Sequence, residues 1–344
     1  MCIYLFIYST CISIFYLGNR FKSNFSYFLA LVILILFGGL RYEIGQDYNT
    51  YSEIFKYAET TNVEYGYLLL CVFFKTLGLG PQIMYLISIS ITLFLLYKSI
   101  LFYNSRQIVF IFFIFLFAGY YAESFNAVRQ YIAIAFFIYA TRYIFAASLC
   151  KFCFYLLIGS LFHTSILFLI PFYYILKKQY SDTTLLICGG GILIFAFIFP
   201  ITPLLERIPV YGQRYMIDHS EFNQSANLGL GYISKLCIAL ILIKMRHYII
   251  KIDKKYNVVI NAYFFYVLFM AIFKDMMVFL RIAYYFHIFL ILILPKMTLC
   301  LNKRSQPIGI LITCLYALLL FFIQMTDEKS MLIPYQANLN FTIS

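Results

Sequence analysis

Apolar runs close to twenty residues long recur from the start of this chain to residue 325, and that recurrence constrains the fold more than any other feature. A helix of about 20 residues crosses the roughly 30 Å hydrocarbon core of a bilayer. Lipid offers no hydrogen-bond partner, so the backbone there must pair with itself. The candidate spans are 2–17, 25–40, 83–101, 107–122, 128–148, 184–202, 229–250, 257–277, 280–298 and 306–325. A further apolar stretch, 152–176, contains His163 and Pro171. Of the 344 residues, 63% are hydrophobic and only 12% charged. A soluble domain carries about 25% charged residues, so no water-soluble surface can be assembled from this inventory. The expectation is an all-α, polytopic transmembrane helical bundle of about 10–12 spans, with re-entrant or interfacial helices and an outward-facing cavity. One membrane domain should fill residues 1–344. The positive charges of MCIYLFIYSTCISIFYLGNR follow its apolar run, so it reads as the first span and not as a cleavable leader.

The net charge of +12 marks cytoplasmic loops in such a protein and gives no reason to expect nucleic acid. Arg20 and Lys22, Lys98 and Arg106, Lys151, Lys177 and Lys178, the run KMRHYIIKIDKK at 244–255, and Lys296, Lys303 and Arg304 fall on one side if spans alternate. This holds provided that 152–176 enters and leaves on that side. The N-terminus is then outside. Of the fourteen acidic residues, all but Asp182 and Asp253 fall on the outer side, although acids contribute little to setting topology. Polar residues without a topological task therefore collect outside, at 41–80, 123–130, 203–228, 274–281 and in the tail from 326, and function is to be sought there.

RYEIGQDYNTYSEIF begins where the second span ends. Arg41 can snorkel there, and Asp47 and Asn49 can cap a surface helix, or the same groups can belong to a site. The run EYGYLLLCVFFKTLGLGP, with Glu64 at its head and Lys75 near its end, is short for a span and suits an interfacial or re-entrant helix. Glu123, Asn126 and Gln130 recur at helical spacing at the mouth of the next span, with Arg129 beside them. A charged residue inside a span costs about 2.5–3.5 kcal/mol on insertion scales, so such a group usually faces water or a partner. His163, alone in an apolar stretch, is either a hydrogen-bonded structural residue or the tip of a hairpin reaching the outer half, where it can move protons. The longest polar loop carries Arg207, Arg214, Asp218, His219 and Glu221, and a later outer turn carries Lys274, Asp275 and Arg281. Several arginines on one membrane face suit a pyrophosphate, whose oxygens a guanidinium binds as a fork. The nine cysteines lie mostly within apolar runs, where Cys acts as a small hydrophobe. Cys150 and Cys153 form a lone CxxC. GxxxxGK[ST] and HExxH are absent from the sequence, and neither a metal nor a cofactor is expected.

The order of these elements resembles the EpsG family of bacterial exopolysaccharide-assembly proteins, relatives of the Wzy-type polymerases. The resemblance rests on Arg41–Gly45–Asp47–Tyr51–Phe55, Glu64–Gly66–Tyr67, Asn126–Arg129–Gln130–Ala133, and Phe162–His163–Ser165 with Pro171. Arg214–Tyr215, Arg281 and Pro334–Tyr335 match more loosely. The resemblance implies polymerisation of lipid-linked oligosaccharide repeat units at the outer face of the bacterial cytoplasmic membrane. Donor and acceptor would both be undecaprenyl-pyrophosphate-linked. Membrane lipid, a flippase and a chain-length regulator are the further partners it suggests.

Such a reaction needs positive charge on the departing pyrophosphate and a base for the attacking hydroxyl. Arg41, Arg129, Arg214 and Arg281 are candidates for the pyrophosphate. Asp47, Glu64 and His163 are candidates, unranked, for base or acceptor orientation, and Asn126 and Gln130 for sugar hydroxyls. The expectation is that Arg41, Asp47, Arg129, His163 and Arg281 share one wet hollow facing away from the cytosol. The alternatives are a flippase or transporter of the same lipid-linked sugar, a membrane acyltransferase acting on the polysaccharide, and a ligase.

Overall fold

A computed structural model describes residues 1–199 and 229–342. Among them every regular element is helical, and pairing of extended backbone is confined to two isolated bridges. The molecule is a polytopic helical membrane bundle. Four segments are long and apolar enough to cross a membrane by length and composition: Cys2–Phe21, Gln82–Phe117, Phe279–Leu299 and Gln306–Thr326. The expected span at 229–250 appears as one 23-residue helix, Leu230–Ile252, that carries several basic residues, and the others appear as shorter apolar helices or as helices interrupted by breaks.

The chain divides into two compact units, Met1–Ile170 with Leu301–Ser344, and Pro171–Cys300. In the first, α1 (Cys2–Phe21) and α2 (Asn24–Gly39) form an antiparallel pair across a two-residue turn. Ser23 caps α2 by accepting from the Ser26 N–H at 3.3 Å, satisfying one of the donors that a helix start leaves open. Two short helices follow, α3 (Tyr48–Lys56) and α4 (Tyr65–Thr76), then the long α5 (Gln82–Asn104). The expected span at 107–122 is split into α6 (Ile108–Phe117) and α7 (Tyr120–Asn126), and that at 128–148 into α8 (Val128–Ala140) and α9 (Arg142–Phe145). The stretch at 152–176 breaks at His163: α10 (Leu149–Ser160) stops, and a 3₁₀ turn, Thr164–Leu169, packs back onto it. α2, α5, α8 and α10 pack in succession.

α4 has 12 residues, about 18 Å at 1.5 Å per residue, too short for a hydrocarbon core of roughly 30 Å. Tyr65, Leu69, Phe73 and Leu77 leave an exposed apolar stripe at intervals of four, as an interfacial helix requires. α3 buries Tyr48, Tyr51, Ile54 and Phe55 against the same cluster that holds Tyr67 and Cys71 of α4.

The second unit comprises α11 (Phe172–Lys177), α12 (Asp182–Ile198), α13 (Leu230–Ile252), α14 (Tyr256–Ile272), α15 (Met277–His287) and α16 (Leu290–Leu299). α14 is its centre, packing on α11, α12, α13, α15 and α16. Its buried Asn257 and Asn261 donate from Nδ2 to the carbonyls of Leu176, Lys177 and Lys178, so they satisfy acceptors that the end of α11 would otherwise leave open. The last helix, α17 (Gln306–Thr326), returns to the first unit, where it packs on α6.

Candidate active site

One end of the first unit gathers polar residues of 41–64, 123–130 and the tail from 326, all among those that sequence places outside. Its centre is Glu64, at the N-cap position of α4. Oε2 of Glu64 pairs with the Arg129 guanidinium at the start of α8. Oε1 lies 3.0 Å from Nδ1 of His163 and accepts the Thr164 backbone N–H at 3.3 Å. The three side chains come from positions 65 and 99 residues apart and are mostly buried, at 11% exposure for Glu64, 21% for Arg129 and 22% for His163.

Backbone geometry brings these segments together. The carbonyl of Leu161, in the turn that leads to His163, accepts from Gly66 N–H at 2.9 Å and Tyr67 N–H at 3.2 Å. That contact presses the first turn of α4 onto the helix break. A Cβ on Gly66 would stand 2.5 Å from the Leu161 Cβ and 2.8 Å from its carbonyl oxygen, so the approach is open to glycine alone. Phe162 stacks on Phe136 of α8 at 6.2 Å, fixing the break against the helix that carries Arg129.

Burial alone would raise the Glu64 pKa. The hydrogen bond to His163 and the charge of Arg129 outweigh it and hold the carboxyl below the ordinary carboxylate range. In the neutral ring of His163, a proton on Nδ1 directed at the carboxylate leaves Nε2 with its lone pair. Arg129 also lies 5.8 Å above the Tyr51 ring, and its backbone N–H reaches the Tyr51 hydroxyl at 3.4 Å. Its Nε–H, though buried, has no partner among the described residues.

Arg41 is buried between helix ends. It is 1% exposed. Its terminal nitrogens donate to the carbonyls of Gly38 at 2.7 Å and Phe125 at 3.1 Å, and its guanidinium sits 4.6 Å from each of the Tyr85 and Phe125 rings. Those carbonyls end α2 and α7, where aligned peptide dipoles leave partial negative charge. Arg41 thus joins two helix ends through two of its N–H donors, while its Nε–H, though buried, has no partner among the described residues. Asp47 stands half-buried at the N-cap position of α3 but makes no side-chain capping bond. Asn126 accepts the Gln46 N–H on Oδ1 at 2.8 Å. Gln130 is buried in α8. Arg281 is exposed on α15 in the second unit, and Arg214 lies outside the described residues.

Tyr51 and Gln82 received no role from sequence. Gln82 donates from Nε2 to the carbonyls of Gly39 at 2.5 Å and Arg41 at 3.1 Å, securing the loop before α3. A polar residue opening an otherwise apolar helix is the signal that marks it. No group of three or more His, Cys, Asp or Glu that could hold a metal comes together among the described residues.

The family model described as the EpsG family matches residues 24–337. No curated protein and no solved structure matches the chain.

Proposed function

The chain belongs to the EpsG family of exopolysaccharide-assembly membrane proteins, and from that premise we propose that it joins undecaprenyl-pyrophosphate-linked oligosaccharide repeat units at the outer face of the bacterial cytoplasmic membrane. The observation that carries this is the single carboxylate of Glu64 holding Arg129 on one oxygen and His163 on the other. Glycan transfer from a pyrophosphate donor needs a base and a fixed cation close together, and this arrangement supplies both.

In this reaction an acceptor hydroxyl attacks the anomeric carbon of the donor. The new glycosidic bond forms as the bond from that carbon to the pyrophosphate oxygen breaks. The hydroxyl proton passes to Nε2 of His163, while Glu64 holds the ring in the tautomer that can accept it. Arg129 stabilises the negative charge gathering on the departing undecaprenyl pyrophosphate. Asn126 keeps an amide for sugar hydroxyls, and a single displacement is the simplest form of the step.

The test is purified protein in lipid vesicles with a purified lipid-linked repeat unit. Longer lipid-linked glycans are expected. Unchanged length with altered sidedness of the lipid would instead establish a flippase, and acyl transfer without growth an acyltransferase.

A further inference from the structure

After α17 and a 3₁₀ turn, Glu328–Ser330, the chain does not leave the first unit. Residues 331–342 run back as a strap across the polar end. Tyr42 N–H donates to the Gln336 carbonyl at 2.9 Å, Asn338 N–H to the Leu40 carbonyl at 2.8 Å, and Gly45 N–H to the Met331 carbonyl at 2.9 Å. Arg41 and Ala337 form an antiparallel bridge. Further on, Gly80 N–H donates to the Phe341 carbonyl at 2.7 Å, and Leu79 bridges Thr342. Side chains anchor the strap. Tyr335 stacks on Phe37 at 4.2 Å and donates to the Phe37 carbonyl at 2.7 Å, while Tyr4 donates to the Leu332 carbonyl at 2.9 Å.

These bonds do not touch Arg129, Glu64 or His163. They grip the loop 40–46, and that loop grips the start of α8. Gly45 has φ +92° and packs so tightly that a Cβ would lie 2.5 Å from the Asn126 Oδ1. The same oxygen accepts the next amide, Gln46 N–H. Asn126 closes α7, and three residues later α8 presents Arg129. The mechanical path therefore runs from strap to loop, from loop to Asn126, and from Asn126 to the cation of the cluster.

We infer that the C-terminal strap, residues 331–342, is a positioning element that sets Arg129 through the loop 40–46 and Asn126. This rests on the polymerase reading for its catalytic consequence, but the physical coupling stands apart from it. Every described helix precedes the strap, so its removal leaves the elements that insert and pack the bundle in the chain.

The experiment compares the full chain with a chain ending at Ser330, and with Tyr335→Ala and Tyr335→Phe, all purified in lipid nanodiscs. Amide hydrogen exchange is followed at Tyr42, Gly45 and 126–129. Exchange there should quicken by about tenfold or more in the truncated chain and in Tyr335→Ala, since the Tyr42 and Gly45 amides lose or loosen their strap carbonyls and 126–129 loses the loop held on Asn126. With the lipid-linked repeat, kcat should fall by about tenfold or more, because a displacement of about 1 Å is enough for such losses. KM should stay within about twofold, since Arg129 meets most of its charge only as pyrophosphate departs. Tyr335→Phe keeps the stack on Phe37 and should restore near-normal turnover, and added peptide 331–342 should restore the truncated chain. Unchanged exchange at Tyr42, Gly45 and 126–129 would overturn the inference. So would full turnover of the truncated chain. If the full chain extends no glycan while exchange still quickens on truncation, the polymerase reading fails and the strap stands. Should the truncated chain not fold, Tyr335→Ala decides by the same exchange measurement.

Discussion

Among the described residues the same three chemistries come together twice. In the first unit, Glu64 joins Arg129 and His163. In the second, Asp182 joins Arg246, with Nε 2.9 Å from Oδ1, and His247, with Nε2 2.9 Å from Oδ2. The first group is assembled from three distant segments, and its carboxylate is 11% exposed. In the second, the Arg and His are consecutive on α13, Asp182 opens α12, and the exposures of Asp182 and His247 are 41% and 67%. Arg246 also donates to the Tyr180 carbonyl, so this group ties the start of α12 to α13. Arg246 itself is buried, at 5% exposure, while the exposed His247–Asp182 contact is of a kind worth about 0–1 kcal/mol. Residue types alone therefore do not make a site. What separates the two is shelter of the carboxylate and the histidine from water and the fact that the first cluster exists only when three segments are held in register.

The largest expected effect separates the two arginines. Arg129→Ala should abolish polymer while the protein inserts at normal levels and single repeat units are still made, whereas Arg246→Ala should leave polymer length unchanged. Polymer analysis on membranes with matched protein amounts decides it, and normal polymer from Arg129→Ala would remove that residue from the site. Next come the histidines. His163→Gln should lower turnover by about 10²–10⁴-fold, the range that a positioned base supplies, and His247→Gln should change it by less than about twofold. Equal losses from both would erase the distinction between the clusters.

Two glycines sharpen the comparison through packing. Gly66→Ala forces a methyl into the Leu161 backbone and should cost about 1–3 kcal/mol, read as a lower unfolding temperature together with reduced turnover. Gly190→Ala in α12, where a Cβ would meet nothing within 4 Å, should be neutral or stabilising by up to about 1 kcal/mol from helix propensity. The smallest effect is the pH dependence of Glu64. Its carboxyl is depressed in the folded protein, so its contribution to stability is complete above the ordinary carboxylate pKa of about 4.3. That contribution is lost as pH falls through the lower folded value. The stability gap between wild type and Glu64→Gln should be flat from neutrality to about pH 5 and shrink below it. A gap that widens on acidification would contradict the ion-pair account.

Much of this was legible beforehand. The break at His163, the shortness of the 64–81 run and the placing of Arg129 at the head of a helix all follow from where polar residues interrupt apolar ones. Arg41 was harder. From sequence, an arginine closing a span looks equally like a snorkelling residue or a ligand for phosphate, and only the meeting of two helix ends shows that two carbonyls accept from it. The strap was hidden for a similar reason. MLIPYQANLNFT has no periodicity of its own, and apart from a few local bonds around Asn338 and Asn340 it is held by partners near the other end of the chain.

Sequence by itself determined the class of molecule and the course of its helices, because a backbone in lipid must pair with itself and hydropathy then marks where each helix runs. Tertiary structure alone decided which polar ends meet: Glu64 with both Arg129 and His163, Arg41 with two carbonyls, the tail with the loop at 40–46. Those meetings depend on close packing between helices far apart in the chain, and no local pattern of residues encodes such a distance.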